Sequence, residues 1–163
     1  MRYLAIVLCV LALCTPSLAV STETEPGKIV LIGKTLLSKL GIECMDLRVL
    51  PTDEQGERSY GVVVSYLDRT PHGDADSLIR VLMCGPAIAG ELNLNIDRIE
   101  AKPIRSGSDW RARIIASVRY APKRLIEGKQ LGQGDGRLVT EWAKTWDCQA
   151  LDPQWKVLCD SFR

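Results

Sequence analysis

Hydrophobic and polar residues alternate most clearly from Trp110 to Tyr120. Trp110, Ala112, Ile114, Ala116, Val118 and Tyr120 fall on one side of an extended chain, and Arg111, Arg113, Ser117 and Arg119 on the other. Successive side chains of a strand point to opposite faces, so a period of two predicts a half-buried strand. Asp97 to Ile104 repeats the pattern, with Ile99, Ala101 and Pro103 inward and Arg98, Glu100 and Lys102 outward. The polar stretch Arg105 to Asp109 between them carries Gly107 and two serines, which predicts a turn and an antiparallel hairpin.

A second hairpin is predicted upstream. Ile42 to Leu50 and Arg58 to Leu67 read as strands about a polar turn, with Tyr60, Val62, Val64 and Tyr66 sharing one face. Before it, Ile29, Ile32, Leu36 and Leu40 lie on one face of a helix over 28–40, and Gly41 suits the left-handed residue that closes it. Another helix starts at Asp76 or Ser77 and carries Leu78, Ile79, Leu82 and Met83. Gly85-Pro86 should kink or break it, since proline lacks an N–H and crowds the preceding turn. Near the C-terminus, Leu138, Trp142 and Trp146 are at helical spacing, and Asp152-Pro153 opens a helix bearing Trp155, Leu158, Cys159 and Phe162. The tryptophans there predict a second small core in preference to an exposed sugar-stacking platform.

This order predicts an α+β fold: an antiparallel sheet of two hairpins packed on helices, one sheet face open, with a disulfide-stapled helical C-terminal extension. The expected organisation is a signal peptide over 1–19, a flexible tail over 20–27 and an α+β domain over 28–127. A Gly-rich connection over 128–136 and the helical extension over 137–163 complete it.

The leader changes the chemistry to be expected. Arg2, the apolar run Leu4 to Cys14 and the small residues ending at Ala19 have the form of a cleaved signal, which implies a secreted or periplasmic protein. Leu4 to Val20 is at the lower limit for a span and is interrupted by Pro16 and Ser17, so no stable membrane span is expected after cleavage. Losing Arg2 from the 21 Lys and Arg brings them level with the 20 Asp and Glu. With no net field to steer it, nucleic acid is not an expected partner, and any attraction to anions must be local. Of the 6 cysteines, Cys44, Cys84, Cys148 and Cys159 lie beyond the leader. The expected disulfides are Cys148–Cys159, close in sequence between two helices, and Cys44–Cys84.

Several chemistries can be weighed from spacing. His72, the single histidine, sits in Asp68-Arg69-Thr70-Pro71-His72-Gly73-Asp74, which could hold an acid/base pair or a metal. The same residues also make an ordinary loop and helix cap, and their order is not that of a calcium loop. Gly33-Lys34-Thr35 resembles the end of a phosphate loop, but apolar residues precede it where glycines should be. No cysteine pair has C-x-x-C spacing and no serine lies in a G-x-S-x-G turn, so no metal, cofactor or nucleophile is implied.

The strongest local feature is basic. Arg98, Lys102, Arg111, Arg113 and Arg119 should project from the open face of the central hairpin, opposed by Asp97 and Glu100. Guanidinium groups suit forked hydrogen bonds to carboxylate or phosphate. The expected function is a non-catalytic exported module binding a protein or an anionic envelope component through this face. The alternatives are a small hydrolase or metal-dependent enzyme centred on His72, and an inhibitor presenting a loop such as Pro71 to Asp76.

Overall fold

Thr24 opens the first helix of the computed structural model, which describes residues 23–52, 57–105, 111–127 and 136–162. Its hydroxyl accepts the Gly27 N–H at 3.2 Å, and α1 runs Glu25–Lys39. The helix thus takes in Glu25 to Gly27, which the polar composition had assigned to a tail. Gly41 follows with φ of 71°, the left-handed conformation that closes the helix without a Cβ clash. Gly33 lies in mid-helix, where an added Cβ would stand 2.7 Å from Leu47 and 3.2 Å from Ile88. Gly33 is therefore a packing residue, and Lys34 and Thr35 lie exposed on the same helix and not in a phosphate loop.

Strands β1 (Cys44–Thr52) and β2 (Ser59–Leu67) form the predicted first hairpin, and β3 (Ile96–Ile104) and β4 (Ala112–Ser117) the second. Between the hairpins runs α2, Ala75–Leu92. It carries the chain back along the sheet, so β2 and β3 pair in parallel. The sheet is consequently mixed, in the order β1-β2-β3-β4-β5, where an all-antiparallel sheet was expected. Asp74 caps α2 by accepting from the Asp76 N–H at 3.0 Å and the Ser77 hydroxyl at 2.6 Å. Pro86 does not end the helix, which continues through Leu92, so the break is not made. Burial from Val81 to Ala89 holds both halves against the sheet, and Gly85 lets the backbone approach Ile99 and Val118.

β4 is shorter than its alternation predicts. Val118 to Tyr120 form a 3-10 turn, leaving Tyr120 72% exposed instead of inward. Trp110, the Ser106 to Asp109 turn, the Gly-rich stretch 128–135 and the leader lie outside the described residues. After α3 (Lys123–Ile126) and α4 (Gly136–Ala143), the chain adds β5 (Asp147–Ala150), an edge strand beside β4. The C-terminal extension is thus not purely helical. The Cys148–Cys159 disulfide ties β5 to α5, Pro153–Asp160. Trp142, Trp146 and Trp155 belong to the same buried cluster as the sheet and α2, not to a second core. Trp142 packs edge-on to Trp146 at 5.6 Å and donates its Nε1–H to the Ser117 carbonyl at 2.9 Å.

Candidate functional site

The helices pack on the face carrying Val62, Val64, Ile99, Ala101, Ile114 and Ala116, all buried. The opposite face has no helix of its own among the described residues and is covered by long charged side chains. One row of paired residues crosses all five strands there: Arg48, Val63, Glu100, Ile115 and Asp147. Glu100, at its centre, is only 5% exposed.

The five predicted cations are not one cluster. Arg113 Nε lies 2.9 Å and Lys102 Nζ 3.2 Å from Glu100 Oε1, so these two are drawn together. Arg119 meets Asp97 at 2.6 Å at one end of the sheet. Arg111 precedes β4 and pairs at 3.2 Å with Asp152, the cap of α5. Arg98 is exposed and lies alongside Gly61, whose added Cβ would be 3.3 Å from its Nε. Three separate carboxylates divide what the alternation read as a single basic surface.

A shallow cavity of about 310 Å³ marks the middle of this face, lined by Arg48, Leu50, Val63, Glu100, Lys102 and Arg113. Arg48 was not anticipated. It arrives from β1, where its Nε pairs with Asp46 at 2.8 Å. The alternation of Asp46, Arg48 and Leu50 along β1 was the available signal. Lys102 and Arg113 meet the one carboxylate of the lining and Arg48 joins them in lining the cavity, beside Val63 and a Leu50 that is 44% exposed. Such a surface attracts a negative group and offers its carbon skeleton apolar contact.

Asp97 ties the end of the sheet, apart from this pocket. It accepts from Ser59, from Thr52 at 2.5 Å and from Arg119. Burial alone would push its carboxyl up, but these three donors and the Arg119 charge outweigh burial and hold it below the usual aspartate range. Asp152 is also lowered, first by the Gln154 N–H and then, against desolvation, by Arg111.

The His72 loop is organised differently. His72 is exposed, and its acidic neighbours are turned onto the loop itself. Asp68 accepts from the Thr70 N–H at 3.1 Å and hydroxyl at 2.8 Å, while Asp74 caps α2. Gly73, with φ of 84°, brings the loop onto the Trp155 ring. The carboxylates flanking His72 therefore serve the backbone.

Cys44 and Cys84, expected as a disulfide, are free thiols. Each turns to a carbonyl of its own element: Cys84 to Arg80 O at 3.4 Å on α2, Cys44 to Asp46 O at 3.5 Å on β1. Burial, then the nearby Cys44, pushes the Cys84 thiol up to about 12. Comparison with protein-family models, curated proteins and solved structures finds no match for the chain.

Proposed function

We propose that the protein is an exported, non-catalytic binding module that holds an anionic component of the cell envelope on its open sheet face. The observation that carries this reading is the pocket that Arg48, Lys102 and Arg113 line together with Glu100, Val63 and Leu50. Its excess of positive charge is local, as a chain with balanced charges requires. The export part rests on the leader sequence, and the Cys148–Cys159 disulfide is compatible with an oxidising compartment. The non-catalytic part rests on the His72 loop, where the neighbouring acids are already committed to turn and cap.

Backbone amide NMR during titration with an acidic polysaccharide or anionic vesicles tests the reading. Shifts should concentrate on Arg48, Leu50, Val63, Lys102 and Arg113. Shifts confined to the His72 loop, or to the helical face, would place any binding elsewhere and overturn it.

A further inference from the structure

Resting on that anion site, we infer that its ligand is an acidic sugar, recognised by its carboxylate and by a neighbouring ring hydroxyl together. The pocket presents two kinds of polar group. Arg48 and Arg113 each meet a carboxylate through Nε, which leaves the terminal nitrogens of both forks for a ligand. Such planar donors match a carboxylate two bonds at a time. Glu100 supplies the opposite function. Among the described residues its close cation contacts, Lys102 and Arg113, both fall on Oε1, and Oε2 is the acceptor that a hydroxyl can use.

The carboxylate in the middle of the site discriminates among anions. A phosphomonoester carries about −1.5 to −2 charges and, as a dianion, its phosphate has only acceptors to offer, so Glu100 repels it. A neutral sugar satisfies Glu100 but leaves both forks without an anion. A sugar acid carries one charge for the arginines and hydroxyl donors a few bonds away. Its C–H face fits against Val63 and Leu50, and a cavity of about 310 Å³ accommodates a single ring.

Calorimetry on the purified protein would compare four probes at one ionic strength: trigalacturonate, a neutral galactose trimer, phenyl phosphate and phosphatidic acid vesicles. Trigalacturonate should bind at least about tenfold more tightly than the other three. Glu100→Gln removes the repulsion and should narrow the preference over phenyl phosphate by about tenfold. Arg113→Lys keeps the charge but loses the fork, and should weaken trigalacturonate about tenfold. Should Glu100→Gln fail to fold, Arg113→Lys carries the test. Phenyl phosphate or vesicles binding as tightly as trigalacturonate, and through Arg48 and Arg113, would overturn the sugar while keeping the anion site. An Arg113→Lys protein that binds trigalacturonate like wild type would also overturn it. Absence of binding by every anion would overturn both readings.

Discussion

Arg119 places Nε 2.6 Å from Oδ1 of Asp97, joining the turn after β4 to an irregularity in β3. Tyr60 pairs with Ile96 and Gly61 with Arg98, so Asp97 is an extra residue in the ladder. Extra residues of this kind bend a strand and redirect its side chains. Here the redirected carboxylate collects Thr52 from the end of β1, Ser59 from the start of β2 and Arg119. An arginine that alternation assigns to a binding surface is instead a fastener.

Replacing Asp97 with asparagine should therefore lower unfolding free energy by about 2 kcal/mol at neutral pH, the scale for hydrogen bonds to a charged group. The pH dependence follows from the direction of its shift. A carboxyl lowered by folding contributes stability above its unfolded pKa, about 3.9 for aspartate, and loses it as pH falls through the folded value. Urea unfolding should show this contribution intact down to about pH 4 and declining below that, with a shallower decline in Asp97→Asn. Parallel acid profiles for the two proteins would contradict the assignment.

Close packing makes a second prediction. A Cβ on Gly90 would stand 2.0 Å from the Ile126 carbonyl oxygen, a backbone atom that cannot rotate away. Gly90→Ala should destabilise the fold by about 3 kcal/mol or more, even though alanine is the better helix former. Thermal unfolding decides it, and a variant as stable as wild type would mean that α2 and α3 do not approach as described.

The cysteines should divide by chemistry. Breaking Cys148–Cys159 with the double serine variant should cost about 3 kcal/mol on the chain-entropy estimate for a short loop. In the native protein, Cys84 should resist thiol reagents at neutral pH, because burial keeps it protonated and covered. Cys44, partly exposed, should label first. Peptide mapping that finds Cys44 joined to Cys84 would reject this division.

Much of the fold was legible because two-residue periods are a direct record of burial. Ile99, Ala101, Ala112, Ile114 and Ala116 are all inward as alternation requires. The parallel β2–β3 contact was not legible, since periodicity says which face a residue takes and nothing about its neighbouring strand. That contact sets Val63 beside Glu100, and β1 sets Arg48 beside Val63. The candidate pocket is therefore a product of strand order. β5 escaped notice for a different reason: Asp147 to Ala150 is too short for a period to emerge. Pro86 does not end α2, because local propensity yields to tertiary burial when both sides of the helix are held.

The central claim is that anions bind the basic face at the pocket of Arg48, Lys102 and Arg113 and not through Arg111 and Arg119, and one comparison separates the two. Binding of an acidic polysaccharide should be followed through a salt titration for wild type, Arg48→Ser/Arg113→Ser and Arg111→Ser/Arg119→Ser. Screening over a Debye length of about 8 Å at physiological salt should weaken wild-type binding. The account predicts that the Arg48/Arg113 variant loses most of the low-salt binding and also unfolds earlier, because the buried Glu100 loses its Arg113 bond. The Arg111/Arg119 variant should keep most binding but unfold earlier, because Asp97 loses its partner. Equal binding by all three proteins, or loss only in the Arg111/Arg119 variant, would contradict the account.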